Sequence, residues 1–461
     1  MRRIALVLIL TALGPAARAD EPKLISRVAF GSCVDQAKPV PVFDAVAAAK
    51  PDLLVMLGDN MYADLDRKVQ VTPEVIRAKY ALMDKVPGFA KLRQTCPVVG
   101  TWDDHDYGKN DAGVEWEHKD PAQAAFLDFF GVAKDDPRRD RKGVYHAEVY
   151  GPPGRRVQVI LLDTRYHRSP IKKAPFDPQT RIAPYVPNTD ADATFLGADQ
   201  WKWLEEQLKK PAELRLLASS IQVISEDHPF EKWANIPRER EKLYSLVNST
   251  KAQGVIVLSG DRHHAEVSVD TAAVGYPLYD VTSSGFNQSS KNWRAPEKNA
   301  KRVATMPYGD NFGLVSIDWS TDDPRVHVQI RDEDGDATCG FKVRLSTLKG
   351  TAPPAAQAKL PDGVLAPADA AKKVGEKVTV QLVVASVGGQ TNLYLNSEKD
   401  FRAKGNFTVV LPPAVRKGKW QAANADTFVG KTVRATGTIR LNKDAPQLEG
   451  ADEKDLEVVG K

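Results

Sequence analysis

Three short apolar runs in this chain each break off at a turn crowded with acids and histidines. Residues 53–57 lead into Gly58-Asp59-Asn60-Met61-Tyr62, residues 97–99 into Trp102-Asp103-Asp104-His105-Asp106, and residues 255–258 into Gly260-Asp261-Arg262-His263. Apolar runs of this length, bounded by turn residues, read as buried strands. Layered α/β folds present their chemistry at strand ends. The pattern therefore predicts an α/β layered domain in which strand ends gather a dispersed set of carboxylates and imidazoles.

The remainder of residues 24–347 agrees with alternating strands and helices. Strand-like runs recur at 28–30, 157–162, 214–218 and 314–318. Thr72-Pro73 reads as a helix start, a capping hydroxyl followed by proline at the first helical position, with Ile76, Tyr80 and Met83 on one face. Trp201, Leu204 and Leu208 repeat at helical spacing until Pro211. With 42% hydrophobic and 27% charged residues, the 461-residue chain can bury one large core and one small one.

Residues 1–19 read as a signal peptide: Arg2-Arg3, an apolar run at 4–13, a Gly14-Pro15 break and Ala17-Arg18-Ala19 before the cut. The run is shorter than the ~20 apolar residues that span a bilayer, and no other stretch is long enough to cross one. Arg2-Arg3 also fits a twin-arginine signal. The mature chain is expected to start near Asp20 and to be periplasmic or secreted. Losing Arg2, Arg3 and Arg18 lowers the net charge from +4 to +1, a balance that does not advertise nucleic-acid binding. Three cysteines, Cys33, Cys96 and Cys339, are too few for a disulfide scaffold.

The main domain is expected over 20–348. An Ala/Pro-rich linker follows at 349–373, and residues 374–461 read as an all-β domain with strands at 378–387, 392–396, 407–411 and 432–441. This order, with a curled first strand, resembles an OB-type barrel. The tail holds thirteen Lys or Arg against ten Asp or Glu; its bland reading is an accessory domain, with nucleic-acid binding second.

The candidate metal ligands centre on Asp59. A Gly-Asp turn after a buried strand lets a short carboxylate reach out and bridge two cations; on its own it equally well caps a turn. Cys33 and Tyr62 bring thiolate and phenolate, anionic donors suited to a strongly Lewis-acidic ion such as ferric iron, whereas Ca²⁺ or Mg²⁺ prefers carboxylate and carbonyl oxygen. Taken singly, each is as readily a packed side chain. Asp103, Asp104 and Asp106 surround His105, and carboxylates this close repel unless a cation neutralises them. Asp261 and His263 add two more ligands.

The set Gly31-Ser32-Cys33, Gly58-Asp59-x-x-Tyr62, Trp102-Asp103-Asp104-His105-Asp106 and Gly260-Asp261-x-His263 resembles the PhoD-like alkaline phosphatases, a branch of the calcineurin-like metallophosphoesterase superfamily. Leu162-Asp163-Thr164-Arg165, Glu231-Lys232-Trp233 and Thr282-Ser283-Ser284-Gly285-Phe286 are similar too, so the likeness covers about residues 24–345 and leaves out the tail. The resemblance implies a sandwich of two mixed sheets flanked by helices. It implies Fe³⁺ on Cys33, Asp59, Tyr62 and His263, Ca²⁺ on Asp59, Asp104 and Asp261, and hydrolysis of a small phosphate ester, monoester or diester. Hydroxide formed at the metal pair would attack phosphorus while His105, steadied by Asp106, assists the leaving oxygen. Asn110 would reach the phosphate, and Arg165 would serve either as a phosphate clamp or in a core-edge ion pair.

The chain departs from the broader superfamily in carrying Asp104 for an asparagine and Asp261 for a histidine. The counterpart of its middle-strand histidine falls in Ala218-Ser219-Ser220-Ile221-Gln222, with His228 several residues later. Alternative functions are a phospholipase-D-like phosphodiesterase, or a decayed hydrolase whose OB-like tail binds carbohydrate or nucleic acid.

Overall fold

Three parallel strands, β1 (Arg27–Gly31), β2 (Leu53–Leu57) and β3 (Val98–Thr101), begin the first sheet. Alternation splits their side chains between two cores: Val28, Phe30, Leu53, Val55 and Leu57 enter one, and Ala29, Leu54 and Met56 the other. Being covered on both faces is why these strands are apolar at nearly every position. These elements belong to a computed structural model that describes residues 23–293, 295–350 and 363–459, apart from 390, 399, 400, 404, 417–419, 421–426, 430, 444, 450 and 451. The expected signal peptide and residues 351–362 of the expected linker lie outside the described residues. The chain divides into two compact units, Met1–Pro353 and Pro354–Lys461.

In the first unit the chain moves on to a second sheet through β4 (His146–Tyr150) and β5 (Val157–Leu161). It then forms a small separate hairpin, β6 (Lys172–Lys173) with β7 (Tyr185–Val186). The second sheet is completed by β8 (Leu214–Ala218), β9 (Val255–Ser259), β10 (Ala265–Val274), β11 (Tyr276–Ser283) and β12 (Arg302–Met306), in the order β12-β10-β11-β9-β8-β5-β4. Strands β5, β8, β9 and β11 are parallel. The chain then returns to the first sheet with β13 (Asn311–Asp318), β14 (Arg325–Asp332) and β15 (Ala337–Arg344), giving β15-β14-β13-β1-β2-β3. Both sheets are mixed, as the resemblance implies.

One core joins the two sheets and the helix Gly197–Leu208, where Trp201, Leu204 and Leu208 are buried. The other lies between the first sheet and helices such as Pro73–Met83, where Thr72 caps the Val75 amide and Ile76, Tyr80 and Met83 face inward. At the end of β1 and β11, Ser32 and Ser284 form a parallel bridge that ties the two sheets together. All three cysteines are free thiols. No helix among the described residues is long and apolar enough to cross a membrane.

The second unit contains β16 (Val364–Leu365), β17 (Lys377–Val383), β18 (Ser386–Gly388), β19 (Leu393–Asn396), β20 (Thr408–Leu411), β21 (Thr432–Asn442), β22 (Ala445–Glu449) and β23 (Leu456–Val459). Their order is β16-β17-β21-β22-β20-β19-β18, with β23 on β21 and with β20 parallel to β22. The single curled strand expected at 378–387 is divided into β17 and β18. At the break, Val384 N–H bonds to Lys431 while Ala385 N–H bonds to Asn396, so the chain changes partner from the β21 side to β19.

Candidate metal centre

Four of the sequence-predicted ligands sit in the left-handed backbone region: Cys33 (φ 67°), Asp59 (φ 47°), Asp261 (φ 68°) and His263 (φ 55°). Non-glycine residues rarely adopt it, and clusters of such strain mark functional sites. Each follows the carboxyl end of β1, β2 or β9, where a left-handed residue turns its side chain back across the strand ends. Gly58 is required as well: at φ 105° a side chain there would meet Asp103 Cβ at 2.6 Å.

The turns bring the predicted ligands together. Cys33 Sγ lies 3.4 Å from Asp59 Oδ2, and Tyr62 Oη donates to the same oxygen at 3.1 Å while standing 3.0 Å from His263 Nε2. Asp59 also meets Asp104 and His105: the His105 amide is 3.3 Å from Asp59 Oδ1 and 3.0 Å from Asp104 Oδ1. Ligand atoms of Cys33, Asp59 and His263 lie within 4.8 Å of one another, as do those of Asp59, Asp104 and His105. Asp59 belongs to both groups.

Sequence reasoning missed part of the second half. Asp103, Asp104 and Asp261 form one further group within 4.8 Å, and Asp104, Asp111 and Glu231 another. Asp103 and Glu231 stand in segments singled out by the resemblance, but nothing in the order of residues says that Glu231, before a short turn at Trp233–Asn235, returns to the ends of β2 and β3. Ser219, Ser220 and Gln222 do not join the cluster. Ser219 Oγ donates to the Ile221 carbonyl, Ser220 pairs with Thr164, and Gln222 donates to Glu266 and Thr282. Buried His228 accepts from the Phe230 amide.

One expected role is corrected. Asp106 does not steady His105: its Oδ1 caps the Asp103 amide at 2.6 Å and its Oδ2 accepts from Asn60. Asp106 is the third residue of a one-turn helix, Asp104–Tyr107, and its carboxylate satisfies the amide of the N-cap residue Asp103 in a capping box. The partner of His105 is Asp64, whose Oδ1 lies 2.5 Å from Nδ1 and whose Oδ2 accepts from the Asn110 amide at 2.8 Å. Asn110 itself is exposed beside it. Arg165 takes the second of the two roles expected for it. It is fully buried between Asp103 and Glu231, 2.7 Å from Glu231 Oε2, so its charge is committed to an ion pair rather than to a phosphate clamp.

Electrostatics make this a cation site. Burial, and then the negative charge of Cys33, push Asp59 well above the ordinary carboxylate range. Asp111 is raised to about 7 by burial, with Glu231 and Asp104 adding to it. Burial opposes the protonation of His105, yet Asp104, Asp59 and Asp64 raise it to about 11. Burial lowers His263 to about 4, leaving a neutral imidazole. Asp103 Oδ2 is buried with no hydrogen-bond partner. So many acids held apart from water ionise together only around positive charge, and the donor set fits metal ions.

The Tyr62 and His105 rings lie tilted against each other with centroids 4.2 Å apart. On the carboxylate side the β6–β7 hairpin reaches the cluster through Tyr185, which donates to Asp111 Oδ2.

A family model described as PhoD-like phosphatase matches residues 28–328. This chain belongs to the PhoD-like phosphatase family. The matched segment carries every candidate ligand from Cys33 to His263 and ends before the second unit. Alkaline phosphatase D of Bacillus subtilis (strain 168) is 24% identical over 288 residues, 54% of this chain and 47% of that protein. The chain thus spans about half the length of this PhoD relative. A solved structure titled "Structure of PhoD" matches with a TM-score of 0.52 at 17% identity, over 71% of this chain and 73% of that one; the likeness is one of fold.

Proposed function

We propose that the chain is an exported, metal-dependent phosphoric ester hydrolase of the alkaline phosphatase D type. The observation that carries this reading is Asp59, whose ligand atoms group with those of Cys33 and His263 on one side and with those of Asp104 and His105 on the other. Cys33, Asp59, Tyr62 and His263 would hold iron. Asp59, Asp104 and Asp261, joined by Asp103, Asp111 and Glu231, would hold calcium. When bound, such a pair neutralises phosphoryl oxygens and activates the attacking water.

The chain's own residues supply the rest. His105 is held by Asp64 through Nδ1, placed to deliver a proton to the leaving oxygen. Asn110, on the same carboxylate, flanks the entrance. Arg165 pairs with both Asp103 and Glu231 and thereby positions them. The first domain is read as residues 20–348 and the second as 374–461. For the second, an OB-type barrel is supported by the parallel pairing of β20 with β22 within an otherwise largely antiparallel order.

The deciding experiment combines elemental analysis with assays on p-nitrophenyl phosphate and bis-p-nitrophenyl phosphate. Iron and calcium together with turnover are expected, and the ratio of the two rates ranks monoester against diester. A chain that stays metal-free and inactive when both ions are supplied overturns the reading.

A further inference from the structure

The second unit carries a polar face of its own. Leu393, Leu395, Val409, Leu411 and Leu448 fill its core, so the intervening residues of β19, β20 and β22 stand on the opposite face. Register places Ser386, Asn396, Thr408 and Gln447 in one row across β18, β19, β20 and β22. The row is linked: Asn396 Nδ2 donates to Ser386 Oγ at 3.3 Å, and Thr408 Oγ1 donates to Asn396 Oδ1 at 2.9 Å. A cavity of about 870 Å³ lies over it, within the range of small-molecule sites.

Aromatic rings border the row. Phe401 is 59% exposed although it belongs to a loop that lines the cavity. Tyr394 is half-buried on the same face, and its ring needs the glycine beside it, since a side chain at Gly389 would come within 2.6 Å. The Arg402 guanidinium lies 4.8 Å from the Phe401 ring centroid, and more than half of Phe401 stays open to water.

We propose that this face is an oligosaccharide-binding groove. A sugar ring offers an apolar C–H face and a rim of hydroxyls, and the cavity offers aromatic rings beside neutral amides and hydroxyls that both donate and accept. A groove for single-stranded nucleic acid pairs its aromatics with a track of cations along the phosphates. Here the row is uncharged, and Arg402 and Lys443 are the charged groups among the described lining residues. Chemistry, rather than barrel type, favours the sugar.

The test applies the full chain to an array of neutral and acidic oligosaccharides with oligothymidylate alongside, then measures affinity for the best-retained sugar by calorimetry. Wild type should bind a neutral oligosaccharide. Phe401→Ala, at an exposed position, and Tyr394→Ala should each weaken it by about ten-fold, with phosphate-ester turnover and melting temperature unchanged. Retention of no sugar, or equal retention by both variants, overturns the proposal. So does preferential binding of oligothymidylate that is lost in Lys443→Ala, which would assign the face to nucleic acid.

Discussion

The two halves of the strand-end cluster are built from different chemistry. Around Cys33, Asp59, Tyr62 and His263 the donors are sulfur, carboxylate, phenol and imidazole. Around Asp103, Asp104, Asp111, Glu231 and Asp261 they are carboxylates alone. A mixed, polarisable set suits a transition metal, and an all-oxygen set suits a hard cation. One protein can therefore sort two ions by donor type within a few ångströms, provided that one residue belongs to both sides. Asp59, within reach of Cys33 and His263 and also of Asp104 and His105, is the candidate for that residue.

The comparison breaks most severely at the shared residue. Asp59→Ala should lose both ions and all phosphate-ester turnover in one step, read by elemental analysis beside the assay. If either ion stays at full occupancy, the two halves are independent and Asp59 is no bridge. Next in size, Cys33→Ser should deplete iron while calcium remains, and Asp104→Asn the reverse. Equal loss of both ions in each variant would mean that the halves do not sort metals by donor type.

A smaller effect separates Asp64 from Asp106. Asp64→Asn should lower kcat by about a hundred-fold with metal content intact, because it releases the proton-donating imidazole. Asp106→Asn should act mainly on stability, since its carboxylate, raised to about 7 by burial, caps backbone amides. A kcat loss confined to the Asp106 variant would reinstate the sequence-based assignment.

The smallest effect lies outside the cluster. Burial, with Arg262 and Lys232 adding to it, holds His228 far below its ordinary 6.5. The folded chain therefore refuses a proton that the unfolded chain accepts, so stability is full above pH 6.5 and falls as pH drops below it. His228→Gln should remove a slope of about 1.4 kcal/mol per pH unit, measured by denaturant unfolding between pH 6.5 and 5. Identical slopes in both chains would show that His228 is protonated in the folded state.

Legibility followed the length scale of each signal. The strand-end turns were readable because a buried run, a glycine and an acid are adjacent in sequence. Thr72 at its helix start and the burial of Ile76, Tyr80 and Met83 follow from local periodicity in the same way. Asp64 was not readable as the partner of His105. It lies forty-one residues away, and Asp106, next to His105, is a nearer acid that the helix turns aside.

The sequence by itself determined which residue types emerge at strand ends and that their charges need a cation, because hydrophobic runs and turn residues act locally. Tertiary structure decided which of them meet. Pairing of β2 with β3 brings Asp59 against Asp104 and the bridge between the sheets at Ser32 and Ser284 brings it against His263, and burial commits Arg165 to Asp103 and Glu231. Coulomb energy depends on distance and dielectric, and neither exists until the chain has folded.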